Sequence, residues 1–100
     1  MILYNVTYNV DESIEQEWLA WLKASYLPAV LSTGLFHDSA VYLLHGAYAS
    51  EGVTYSVQLF AESFDKVNVF EQLYAARFQQ EHEAHFGGQF VQFQTLMERK

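Results

Sequence analysis

Residues 2–10 and 53–61 alternate in a way that only a β-strand with two different faces can use. In the first stretch Ile2, Tyr4, Val6, Tyr8 and Val10 share one side, and Leu3, Asn5, Thr7 and Asn9 share the other. In the second, Tyr55, Val57 and Leu59 oppose Ser56, Gln58 and Phe60. Helical periodicity fills the gaps between such strands. Asp11 and Ser13 are helix caps in type, with Gln16 at capping-box spacing and Glu12, Glu15 and Glu17 at the positive end of the dipole. Ile14, Trp18, Trp21 and Leu22 then form a buried stripe, while Glu15, Ala20 and Lys23 fall toward solvent. Pro28 disfavours α geometry at Leu27, so this helix is expected to break there.

Residues 36–48 read as a second strand, joined to 53–61 through Ala49-Ser50-Glu51-Gly52 as a hairpin. Ser63 is the expected cap of a second helix whose stripe is Val67, Phe70, Tyr74 and Phe78, running to about Phe86 before Gly87-Gly88. Residues 89–97 alternate as a last strand. The order β-α-β-β-α-β, with right-handed crossovers, predicts an α+β ferredoxin-like domain over 1–100: one four-stranded antiparallel sheet with both helices on one face.

The other face is the informative one. Asn5, Thr7, Asn9, Ser56 and Gln58 are all neutral, joined by Gln92, Gln94 and Leu96 or their parity mates on the last strand. A solvated sheet face normally carries Lys and Glu, and this chain does charge its helices. The expectation is therefore a homodimer in which this face meets a second copy, with Asn5, Thr7, Asn9, Ser56 and Gln58 in the interface. Composition agrees: 51% of the 100 residues are apolar and only 17% charged, more apolar surface than a lone small domain hides easily.

A formal charge of −7 argues against nucleic acid and anionic membranes as partners. With no cysteine, disulfides and thiolate metal sites are excluded. MILYNVTYNV reads as a strand rather than a leader, and no apolar run is long enough to span a bilayer, so a cytoplasmic location is expected.

Chemistry-bearing patterns are few. His82 and His85 lie three apart on one helix side, which is not the zincin spacing, and they read as solvated, dipole-compensating residues rather than metal ligands. His45, placed mid-strand, reads as a hydrogen-bonded core or interface residue. Seven tyrosines are many for this length. Tyr4, Tyr8, Trp18, Tyr55 and, on the second helix, His82 converge between sheet and helices, where a ligand pocket for a small hydrophobic or aromatic molecule would lie. No nucleophile motif, phosphate loop or cofactor signature is present in the sequence, so no cofactor is expected.

The segments MILYNVTYNVDESIEQEWLAWLKASYLPAVLSTGLF, GVTYSVQLFAES and EHEAHFGGQFVQFQTLME resemble a small bacterial family that bears the label domain of unknown function, number 4286. The resemblance covers essentially the whole chain. It implies the dimeric α/β-barrel fold, in which two ferredoxin-like sheets face each other, and brings no activity with it. More distant relatives of that architecture include cofactor-independent antibiotic-biosynthesis monooxygenases, haem-degrading monooxygenases and stress-responsive barrel proteins. The haem degraders pair a first-strand Asn with a Trp and a second-helix His. Asn5 or Asn9 and His82 are similar in place, whereas Trp18 and Trp21 both lie in the first helix. Three functions follow as expectations: a homodimeric small-molecule binder, a cofactor-independent monooxygenase, or a purely structural or protein-interaction module.

Overall fold

The structure is a computed structural model that describes residues 1–46 and 51–100. Four strands, β1 (Ile2–Val10), β2 (Asp38–Leu43), β3 (Val53–Ala61) and β4 (Phe90–Glu98), form one antiparallel sheet in the order β2-β3-β1-β4. Placing β1 and β3 at the centre follows from their clean alternation, because central strands are specified by a fully buried parity. Tyr4, Val6 and Tyr8 pair with Leu59, Val57 and Tyr55, and all six are buried.

The first crossover begins with a 3₁₀ turn (Glu12–Ile14) that runs into α1 (Glu15–Trp21), with no capping bond from the Asp11 side chain. The break expected at Pro28 does not occur. A π-helical turn (Leu22–Tyr26) leads directly into α2 (Leu27–Ser32), with Pro28 in the first turn of α2. Proline has no N–H and its ring presses on the carbonyl four residues back. The wider turn absorbs this: Leu27 N–H donates to the Leu22 carbonyl, five residues back, and the helix continues.

The second crossover holds α3 (Phe64–Leu73) and α4 (Ala75–Phe86). Ser63 Oγ accepts from Lys66 N at 3.4 Å, the expected cap. A single α-helix to Phe86 was the expectation. Instead the rod bends at Tyr74 (φ −126°), although Tyr74 N still reaches the Phe70 carbonyl and Phe78 N the Tyr74 carbonyl. Beyond the bend, Phe78, His82 and Phe86 carry the buried stripe onward at i, i+4 spacing.

β2 is shorter than the predicted 36–48. It ends at Leu43, and His45 is exposed beyond it rather than buried mid-strand. Ala49 and Ser50 of the predicted hairpin turn lie outside the described residues. Gly52 is required at its end of that connection: its φ is +89°, and a Cβ there would sit 2.6 Å from Asn9 Oδ1 and 2.8 Å from the Val10 carbonyl.

All helices pack against the Tyr4/Val6/Tyr8 side of the sheet, where Trp18, Leu22, Val30, Phe36, Phe70, Phe78 and Phe86 complete the core. Register settles which side of β4 faces them. Gln92 pairs with Tyr8, Gln94 with Val6 and Leu96 with Tyr4, so these three lie on the helix side and Val91, Phe93, Thr95 and Met97 on the opposite face.

Candidate functional site

Of the five residues expected to line a pocket, the structure puts Tyr4 and Tyr8 on a cavity wall and Trp18, Tyr55 and His82 in the packed interior beside it. The cavity has a volume of about 250 Å³ and lies between β1 and β4 on one side and α3, α4 and Tyr26 on the other. Its apolar lining is Val6, Phe70, Ala75, Ala76 and Phe78; its polar lining is the three tyrosines with Glu71, Gln79, Gln92 and Gln94. The polar groups come from elements that are separate in sequence. β4 supplies the two glutamines because its register with β1 puts Gln92 opposite Tyr8 and Gln94 opposite Val6, on the helix side.

One hydroxyl of the wall is tied down. Tyr4 OH lies 2.5 Å from Glu71 Oε1 and 2.8 Å from the Gln94 carboxamide. A phenol has one proton to give. The carboxylate is the stronger of the two acceptors, so the proton goes to Glu71 rather than to Gln94 Oε1. Burial, then Glu71, pushes the Tyr4 hydroxyl far above its usual range. Burial raises the Tyr8 and Tyr26 hydroxyls as well, Tyr8 the more strongly, and the other phenol is a lesser influence on each, raising Tyr8 and lowering Tyr26. All three phenols are therefore neutral at physiological pH.

Gln92 is different. Its Oε1 is the one buried side-chain polar atom among the described residues with no hydrogen-bond partner. An orphaned carbonyl of this kind costs about 1–3 kcal/mol unless something fills the space beside it.

Next to the cavity lies a second aromatic assembly. Trp18 Nε1 donates to His82 Nε2 at 2.9 Å, and His82 is stacked on Phe90 (3.8 Å between ring centres) and on Trp21 (5.3 Å). His82 is 1% exposed, which corrects the reading of it as a solvated residue. Its place four residues after Phe78 and four before Phe86 was the sequence signal for burial. Burial, followed by the neighbouring His85, lowers its pKa to about 4, so it is neutral. Because indole can only donate, Nε2 must be the bare nitrogen and the proton resides on Nδ1. Tyr55 OH donates to Glu15 Oε2 at 2.6 Å, so Glu15 is not part of a freely solvated helix face. That contact, after burial, pushes Tyr55 up to about 12.

The opposite sheet face gathers the five residues expected in a dimer interface. Ser56 Oγ donates to Asn5 Oδ1 (2.6 Å), Asn5 Nδ2 to Thr7 Oγ1 (3.2 Å) and Gln58 Nε2 to Ser56 Oγ (3.3 Å). Asn9 Nδ2 donates to Thr54 Oγ1 at 3.0 Å. These polar groups satisfy one another. Around them Val91 (68% exposed), Phe93 (64%) and Tyr42 stand out as unburied apolar side chains. Asn5 and Asn9 thus lie across the sheet from His82, and the structure does not bring them together as the haem-degrading pattern requires. Among the described residues no group of three or more His, Cys, Asp or Glu is placed to hold a metal ion, and no helix is long and apolar enough to cross a membrane.

Sheet order, register and one-sided helices define this as a ferredoxin-like α+β domain. The chain belongs to the family described as Domain of unknown function (DUF4286), whose model matches residues 1–100. None of the curated protein sequences matches it. Among solved structures it is similar to an ethyl tert-butyl ether d (ethd) family protein from Bacillus halodurans, with TM-score 0.67, 9% identity, and 100% of each chain covered. A dimeric ferredoxin-like protein from an uncultured marine organism gives TM-score 0.68 at 11% identity, covering 99% of this chain and 94% of the other. Hydroxynitrile lyase from Passiflora edulis gives 0.63 at 14% identity, covering 99% and 95%. At these identities the likeness is one of fold.

Proposed function

We propose that the protein works as a homodimer, joined through the Asn5/Ser56/Phe93 face of the sheet, in which each subunit binds a small, partly apolar molecule in the cavity beneath Tyr4 and Tyr8. The observation that carries the ligand reading is the orphaned Gln92 Oε1 on the wall of a cavity of about 250 Å³. The cavity opens to solvent at Glu71, Ala76 and Gln94, which are exposed, and a cleft with seven polar side chains over an aromatic floor is the kind of concave, mixed lining that small ligands use. The volume suits a molecule the size of a substituted benzene ring.

Two features support the dimer. The outer-face network leaves few donors or acceptors stranded when it is covered, and the apolar rim on β4 is otherwise exposed to water. A dimeric ferredoxin-like protein shares the fold over nearly its whole length. The monooxygenase reading finds less support, because the histidine it would use as proton acceptor already has Nε2 engaged by Trp18.

The test of binding is a ligand-observed NMR screen of small aromatic fragments of mixed charge, run on the wild type and on Ala75→Leu, which extends a side chain into the cavity. Hits that disappear in A75L are the expected outcome. A screen without hits, or with hits that A75L leaves unchanged, overturns the reading.

A further inference from the structure

The cavity has a chemical polarity that its volume does not reveal, and resting on the binding reading above, we infer that its ligand is a small organic cation, an ammonium carried on an aromatic or branched apolar body. The lining contains one formal charge, the Glu71 carboxylate, and no Lys, Arg or His. Glu71 gives one oxygen to the Tyr4 proton and keeps its remaining acceptor positions. Gln92 contributes an unpartnered buried carbonyl. Both groups ask for a donor.

The rest of the wall fits the same occupant. Tyr4, Tyr8, Tyr26, Phe70 and Phe78 present aromatic rings, whose negative faces attract a cation. The three phenols stay neutral, so they add no charge of their own and lose no proton to the ligand. The Tyr4 proton is spent on Glu71. The remaining donors of the wall, the glutamine amides and the Tyr8 and Tyr26 hydroxyls, are all neutral, and a carboxylate would meet them beside Glu71. An anion is therefore repelled both at the site and by the formal charge of −7 on the chain. A neutral molecule of the same shape gains the apolar contacts but not the carboxylate.

Three probes of one shape separate these cases: phenethylamine, phenethyl alcohol and hydrocinnamate, titrated into the full-length protein at neutral pH by calorimetry at low salt. The amine is expected to bind at least roughly tenfold more tightly than the alcohol, with no detectable binding of the carboxylate. Glu71→Gln, which keeps an acceptor for Tyr4, should remove roughly tenfold or more of the amine affinity and leave the alcohol unchanged. If alcohol or carboxylate binds as tightly as amine, or E71Q binds the amine as wild type does, the cation assignment is wrong while the cavity remains a binding site. If none of the three binds, and the mixed fragment screen is also empty, the binding reading itself fails.

Discussion

Trp18 and His82 are joined by a 2.9 Å hydrogen bond across the interior, indole N–H to imidazole Nε2, although they lie 64 residues apart in sequence. The bond links the first crossover to the second under the centre of the sheet and fixes the protonation state of the imidazole. Tyr8 packs edge-on against both rings, at 5.4 Å from Trp18 and 5.1 Å from His82. Helix, helix and strand are thus locked at one point.

This lock is acid-sensitive. Above pH 6.5 His82 is neutral both folded and unfolded, and its full contribution to stability is present. As pH falls from about 6.5 toward about 4 the unfolded chain takes up a proton that the folded chain refuses, and stability drops by an amount on the order of 3 kcal/mol. Urea midpoints at pH 7.5 and 4.5 measure the loss. Replacing His82 by Leu should shrink that difference while lowering stability at both pH values, because Trp18 Nε1 then has no acceptor. An unchanged pH difference in H82L would assign the acid sensitivity elsewhere.

The tautomer is a separate prediction. Long-range ¹⁵N–¹H spectra of the imidazoles should show His82 with Nδ1 protonated and Nε2 bare at neutral pH. Trp18→Phe removes the indole N–H that imposes this state. The variant is expected to lose about 2–4 kcal/mol, from the smaller ring and the stranded nitrogen together, and to shift the His82 pattern toward a mixture.

Tyr4 and Tyr55 hold helix carboxylates in the same way from different strands, Tyr4 to Glu71 on α3 and Tyr55 to Glu15 on α1. Tyr4→Phe and Tyr55→Phe keep the ring and lose the hydroxyl. Each should cost about 1 kcal/mol by denaturant titration, and the pair should be additive because the two contacts share no partner. Strong coupling in the double variant would contradict that independence.

At the alkaline end the sign reverses. Tyrosines whose folded pKa exceeds the ordinary value of 10 stabilise the fold below pH 10, and that contribution is lost as pH rises toward the folded values, about 12 for Tyr55. A spectrophotometric titration should therefore show only part of the tyrosine absorbance change near pH 10, with the remainder arriving together with unfolding. A single smooth ionisation of all seven near pH 10 would refute the buried pairings.

Phe93 tests the dimer. Light scattering should give twice the 11.6 kDa chain mass for the wild type at micromolar concentration. Phe93→Glu, which sets a carboxylate in the middle of the proposed contact at a position 64% exposed in the single chain, should give the monomer mass with its secondary structure intact. A monomeric wild type rules the contact out.

How much of this could be read in advance depends on where the code is local. β1 and β3 were legible to the residue because each has one parity entirely apolar, and a one-residue slip would bury Asn5 or Gln58 among the helices. β4 gave no such signal. Gln92, Gln94 and Leu96 on one parity and Val91, Phe93, Thr95 and Met97 on the other are both mixed, so only its pairing with β1 decides which meets the helices. For the same reason Gln92 and Gln94 entered the cavity wall unannounced. Tyr26 was hidden by Pro28, since the π turn that aims it inward is a response to the proline and not a pattern in the residues before it.

Alternation and helical spacing by themselves determined the β-α-β-β-α-β order, the one-sided burial and the uncharged outer face, because those properties depend on residues close together in sequence. The cavity, the orphaned carbonyl and the Trp18–His82 bond were decided by tertiary structure alone. Each joins side chains from different crossovers, and whether a polar atom is satisfied or stranded depends on what the rest of the fold brings within 3 Å of it.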